Sequence, residues 1–346
     1  MKKIMLNLII IALGLFLVVG CEKDSTPTSG DYSNLTDQEL VEESLLNETD
    51  PEFEDIQDYL VDWGIDDGSE ANMYNGFSTF GNGLNLPKIL SPIDNVIRFG
   101  RKINQRFPRK IVYRRISEDS IAVNIERVLA GRFFIFQKLD TLSTETDSFK
   151  VYTKPLTHRV RRNTIFVRRS NDEIIRHPRR RWRLAAISLG DGISHPDPTV
   201  EIHQVTVESS GGTSLVFTNP LGTMLSIPDD LPTFTQGEVV TITTLVSNSS
   251  ANPVINPTTG ATETVLLHFG LNRMHRARKQ FQYLGVDPTT GYHIYQGQWT
   301  VHEPAYRAFH AVVDVIDNGT IYDDDSDAYP YNSATWGCTY RVLIGN

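Results

Sequence analysis

The chain has 346 residues, a formal net charge of −9 at pH 7, 40% apolar residues and a mean hydropathy near −0.26. That is globular material too long for one small core, and it suggests two domains without a second membrane span. With only Cys21 and Cys338 there is no disulfide framework to staple the fold.

The charge is segregated along the chain. Residues 22–70 carry seventeen carboxylates against Lys23 alone, residues 98–183 carry twenty-three Lys and Arg against eight acids, and residues 184–346 carry sixteen acids against six bases. Blocks that run acidic, basic, acidic are expected to track the parts of the fold.

Met1-Lys2-Lys3 leads into the apolar run Ile4 to Val19, which stops at Gly20-Cys21. A positive start, a short apolar middle and a small residue before the break are the parts of a secretory signal peptide. As a helix the run spans ~24 Å, short of a ~30 Å bilayer core. Val18-Val19-Gly20-Cys21 resembles the lipobox of bacterial lipoproteins. The resemblance implies a signal peptide over residues 1–20, lipidation of Cys21 as the mature N-terminus, and a lipid-anchored place in the cell envelope, on the outer membrane at its periplasmic face or the cell surface. Glu22-Lys23-Asp24 resembles the charged export signal of some Bacteroidota surface lipoproteins. The alternative is a polar linker facing the periplasm. Residues 21–34, rich in Ser, Thr, Pro and Asp, read as a flexible tether.

Thr36-Asp37-Gln38-Glu39 is a capping-box pattern ahead of Leu40, Val41, Leu45 and Leu46, so a short helix is expected there. Asp50-Pro51 opens a second, with Phe53, Ile56, Leu60 and Trp63 at helical spacing. Residues 64–87, rich in Gly, Asn and Ser, read as a loop. Ser91-Pro92 then starts an expected helix whose Ile93, Val96, Ile97, Ile103 and Phe107 share a face. Short strands follow at 111–116, 121–129, 133–138, 149–153, 163–169 and 182–188. Helices followed by an antiparallel sheet form an α+β pattern over 35–190: an acidic helical arm and a basic α+β domain. The element order resembles the cystatin-like and nuclear-transport-factor-like cone folds, a likeness of architecture that carries no residue roles.

The loop Gly190 to Asp197 is the expected domain boundary. Beyond it, seven strand signals separated by turns resemble an immunoglobulin-like β-sandwich over 191–346, without the Cys…Trp…Cys spacing of antibody domains. In Phe309 to Val315 the side chains of Phe309, Ala311, Val313 and Val315 share one face, with His310, Val312 and Asp314 opposite.

Three groups of residues are candidate sites. Arg179, Arg181 and Arg183, with Arg161 and Arg168 nearby in sequence, could bind an anionic envelope polymer, because guanidinium forks take carboxylates and phosphates bidentately. The competing reading is that the acidic helices cover this face. Export removes nucleic acid as a routine partner despite the basic footprint. Asp317, Asp323, Asp325 and Asp327 could hold calcium, a hard cation that takes six to eight oxygens, or could be a solvated hairpin tip. Asp191, His195 and Asp197 are a weaker transition-metal set. No nucleophile motif stands out, and Cys338 is expected to face the sandwich core as a small hydrophobe.

The expectation is therefore a lipid-anchored envelope protein that acts by binding an envelope polymer or protein, or by a structural role. The alternative is a hydrolase or isomerase with a pocket in the α+β domain, where Glu118, Asp119 and Glu126 are the first suspects.

Overall fold

The computed structural model describes residues 35–47, 50–60, 96–138, 149–171, 178–256, 259–272 and 275–344. The lipobox with Cys21, the tether, Trp63, the 64–87 segment and the start of the helix expected from Ser91 lie outside the described residues.

Strand dominates the described residues, which corrects the α+β expectation. The stretch read as a helix up to Phe107 is strand β1 (Val96–Arg106), antiparallel to β3 (Ser120–Lys138) with Phe99 opposite Ile135. Short apolar runs of Val, Ile and Phe suit either element, and here the pairing partner decides. Helix survives in α1 (Asp37–Leu46), α2 (Glu54–Gln57) and α3 (Asn318–Tyr322). The capping box of α1 forms as its residues dictate: Glu39 N donates to Thr36 Oγ1 at 3.2 Å and Thr36 N to Glu39 Oε2 at 2.8 Å.

The basic block folds as β1, β2 (Lys110–Ser117), β3, β4 (Phe149–Arg168) and β5 (Trp182–Ser188). Segments 121–129 and 133–138, expected as separate strands, are one 19-residue strand. Gly131 between them is no turn; any side chain there would strike the β1 backbone at Lys102. Gly190–Ser194, expected as a loop, is β6, which pairs with β4 on one side and with β17 (Ser333–Leu343) on the other. The remaining strands are β7 (Val200–Ser209), β8 (Ser214–Phe217), β9 (Met224–Ser226), β10 (Thr233–Thr235), β11 (Val239–Asn248), β12 (Glu263–Asn272), β13 (His275–Gln280), β14 (Gln282–Val286), β15 (His293–Thr300) and β16 (Tyr306–Asp317).

The larger sheet orders β1-β3-β4-β6-β17-β16-β12-β13, and so runs unbroken from the basic block into the C-terminal half. The smaller sheet, β14-β15-β11-β7-β8, faces it as the second layer of a β-sandwich. Val205, Ile242, Trp299, Val313, Trp336 and Tyr340 meet between them. Cys338 lies in this apolar layer as a free thiol, and burial pushes its pKa up to about 12.

The larger sheet curls until its ends meet, with Arg278 on β13 donating to the Phe99 carbonyl of β1 at 3.3 Å. The curl encloses a second core of Phe99, Phe133, Ile135, Leu156, Leu266 and Ile316, against which Ile321 and Tyr322 of α3 pack. His310, Val312 and Asp314 are all buried on this opposite face of β16. A polar cluster sits in the curl. Arg101, 1% exposed, grips Asp314 bidentately at 2.6 and 2.8 Å and donates to Ser333 Oγ at 2.9 Å and Tyr331 Oη at 2.8 Å. His268 Nε2 donates to Asp314 at 2.9 Å, and Tyr331 Oη donates to His158 Nδ1 at 3.1 Å. Gly192 makes room for this cluster, since a Cβ there would overlap Thr335 and His158.

Burial alone would raise the Asp314 pKa, but Arg101 and His268 more than reverse it and hold the carboxyl far below its ordinary value. Breaking such a buried pair from one side costs about 3–5 kcal/mol, because the other charge is left stranded. Asp314→Ala is therefore expected to lose about that much in urea unfolding, and the double variant Arg101→Met/Asp314→Leu to recover most of it. A single-variant loss under about 1 kcal/mol would mean that the pair does not hold the curl.

The same interior predicts acid lability. Burial, then Arg101, pushes His158 from 6.5 to about 3, and burial, then Arg162, does the same to His310. Both stay neutral in the fold while their unfolded counterparts protonate near pH ~6.5. The stability they contribute is complete above pH ~6.5 and is lost as pH falls towards their folded values. The melting temperature should drop between pH 7.5 and 5, and the drop should shrink in His158→Gln; identical slopes would refute the assignment.

Candidate functional site

The five candidate arginines do not converge. Arg179 sits on a turn before β5 and is held by the acidic arm: Nη2 contacts Glu43 Oε1 and Asp50 Oδ2, each at 2.7 Å, and Nη1 contacts Glu52 Oε2 at 2.7 Å. Its guanidinium also lies 5.1 Å from the Phe53 ring centre. Arg181 and Trp182 both face Asp37, at 3.7 and 3.2 Å. The arm's apolar side is buried with these contacts: Leu40, Val41, Leu45, Phe53, Ile56 and Leu60 share a core with Ile121, Val123, Phe166 and Trp182. Arg168 and Arg183 are exposed on β4 and β5. Arg161 points elsewhere, into the cleft described below.

Of the four candidate aspartates, Asp317, Asp323 and Asp325 accept hydrogen bonds from the chain itself. Asp317 caps α3 through Gly319 N at 2.6 Å and accepts from Asn248 and Ser250. Asp323 accepts from Asp325 N, and Asp325 from the backbone of Asp327 and Ala328. A buried cation already lies beside this loop: Lys154, 1% exposed, donates to the carbonyls of Gly319 and Tyr329 at 2.8 and 2.5 Å. Burial pushes its pKa down to about 8 despite the nearby aspartates. Among the described residues no three His, Cys, Asp or Glu side chains converge as metal ligands, so neither these aspartates nor Asp191, His195 and Asp197 make a centre. Glu118 and Asp119 are exposed in the β2–β3 turn, and Glu126 sits mid-strand opposite Arg161.

Glu263 and His293 form a pair that no sequence spacing announces. Glu263, 2% exposed on β12, accepts from His293 Nδ1 at 2.5 Å and Tyr295 Oη at 3.0 Å on β15, pinning the two sheets together. The bond to Glu263 raises the His293 pKa, so its contribution is present below pH ~6.5 and is lost as pH rises through the folded value.

Among the described residues, a half-open cleft of about 690 Å³ lies between the two sheets. A cross-strand row makes its floor: Arg161 on β4 lies opposite Asp191 on β6, which lies opposite Trp336 on β17. Directly opposed residues project from the same face of a sheet, so three side chains 30 and 145 positions apart in sequence stand side by side. Arg161 Nε and Nη2 both donate to Asp191 Oδ2, at 3.1 and 2.5 Å. The facing wall brings Glu201 and His203 from β7, Ser247 from β11 and Thr218 from the β8–β9 loop. His203 is fixed by stacking on Tyr292, ring centres 3.8 Å apart, and by Ser247 Oγ at 2.8 Å. Polar and apolar surface alternate here, and Glu201 Oε2 lies 4.0 Å from the same His203 nitrogen that meets Ser247.

No family model matches the chain, and no curated protein matches it. A solved structure of Extended-Synaptotagmin 2, with its SMP and C2 domains, aligns over 70% of this chain and 89% of that one at 8% identity. Its TM-score of 0.10 carries no inference.

The arm contact is open to direct measurement. Arg179→Ala leaves three carboxylates facing a half-buried gap and should cost about 1–3 kcal/mol, between the figures for exposed and buried pairs. Arg183→Ala should stay within about 0.5 kcal/mol. Equal losses in urea unfolding would show that Arg179 does not anchor the arm.

Proposed function

We propose that the protein is a lipid-anchored cell-envelope binding protein, held by Cys21 and using the cleft above Arg161, Asp191 and Trp336 as its ligand site. The observation that carries this reading is the contrast between the arginine face and the cleft. Arg179 and Arg181 are engaged by the chain's own carboxylates, whereas the cleft keeps a wide, mixed polar and apolar wall open. The lipobox and charged start of the sequence support the address, with the membrane as the partner of the N-terminal lipid.

Two measurements test the two halves. A clickable fatty acid should label the wild-type protein in cells and not Cys21→Ser; equal label sinks the anchor. A photo-crosslinking side chain at the exposed rim position Glu201 should capture a discrete adduct in intact cells, and the same group at Leu284, exposed on the far edge strand β14, should not. No adduct at Glu201, or the same adduct at both positions, sinks the cleft as ligand site.

A further inference from the structure

We infer that the ligand of this cleft is a stretch of uncharged polysaccharide, recognised through its hydroxyls and C–H faces; this rests on the cleft being the ligand site. The first ground is the pattern of filled and unfilled hydrogen-bonding positions. Both bonds from Arg161 go to one oxygen, Asp191 Oδ2. Among the described residues, Arg161 Nη1 and Asp191 Oδ1 take no protein partner, so a donor and an acceptor stand together on the cleft floor. A vicinal diol offers the complement, because one hydroxyl accepts from the guanidinium while the other donates to the carboxylate. Asp191 is 7% exposed and its Oδ1 opens on the cleft, where a ligand hydroxyl would take the place of water.

The second ground is charge. Arg161 is already neutralised by Asp191, and Glu201 on the facing wall adds a further carboxylate. The cleft offers no surplus positive charge to a uronate or phosphate chain. The exposed arginines that would attract one, Arg168 and Arg183, lie outside it.

The third ground is the shape and nature of the apolar surface. Trp336 stands next to Asp191 in the row, with Ile193, Val200 and Pro220 around it. Trp336 is 7% exposed and mostly buried in the sandwich layer, so what it shares with these three residues is a small apolar margin beside the charged pair, a mixture that the C–H groups and hydroxyls of a pyranose ring complement. A peptide fits less well. The floor is the face of paired strands β4, β6 and β17, whose backbone groups are spent in the ladder, so strand addition has no free edge here.

The test uses calorimetry on the full mature chain with three probe sets: neutral hexose and pentose oligosaccharides, oligogalacturonate, and an uncharged peptide of similar length. At least one neutral oligosaccharide should bind saturably. Thr218→Trp, which fills the cleft from an exposed rim position, and Arg161→Gln should each weaken it by about tenfold or more, the equivalent of one good hydrogen bond or contact. Thr218→Trp should melt with the wild type. The inference falls if Glu201 captures an adduct in cells yet no neutral oligosaccharide binds. It falls equally if oligogalacturonate or the peptide binds more tightly, or if Thr218→Trp leaves sugar binding unchanged. A missing Glu201 adduct refutes the cleft reading itself, so the two failures are distinct.

Discussion

Taking an arginine and an aspartate out of water together is favourable only when geometry is good and every remaining donor and acceptor is satisfied. The Arg101–Asp314 pair meets that condition through Ser333, Tyr331 and His268, and the demand fixes where five strands must lie. Arg101 comes from β1, Asp314 from β16, Ser333 from β17 and His268 from β12, while β4 brings His158 against Tyr331. The curl of the larger sheet follows from this requirement. A flatter sheet would separate the partners and leave a stranded charge.

The curl gives β16 and β17 two apolar environments at once. One face of β16 enters the sandwich layer with Val313 and Val315, and the other enters the polar interior with Asp314 and His310. A strand buried on both faces has little tolerance for a register slip, since one step would exchange valines for charges. The sheet also carries the chain from the basic block into the C-terminal half through β6, whose Asp191 is the residue that brings Arg161 and Trp336 into one row. The fold and the cleft thus depend on the same short strand.

Charge segregation along the chain has a local purpose in the fold. The acidic arm lays Glu43, Asp50 and Glu52 around Arg179 and Asp37 beside Arg115, Arg181 and Trp182, while its apolar side joins the core. Exposed pairs contribute little, so burial of Leu40, Leu45, Phe53 and Ile56 supplies most of the attachment and the charges supply its register.

Much of the local structure was legible in the sequence. The capping box at Thr36, the strands around Val200, Val240 and Tyr306, and the core-facing Cys338 follow from residue type and short-range period, which depend on neighbours in the chain. The apolar run to Phe107 was not legible as β1, because its period fits helix and strand alike and the pairing with β3 settles it. Gly131 and the Gly190–Ser194 stretch look like turns in sequence, since a glycine that admits a neighbouring backbone is indistinguishable there from one that breaks a strand. The aspartates from Asp317 on look like a cation site in sequence, whereas in the fold Asp317, Asp323 and Asp325 each turn an oxygen to backbone amides. By itself the sequence determined composition, charge blocks, caps and most strands. Only the tertiary structure decided the curl, the buried Arg101–Asp314 cluster and the Arg161–Asp191–Trp336 row, because each joins residues from distant strands whose register no local pattern encodes.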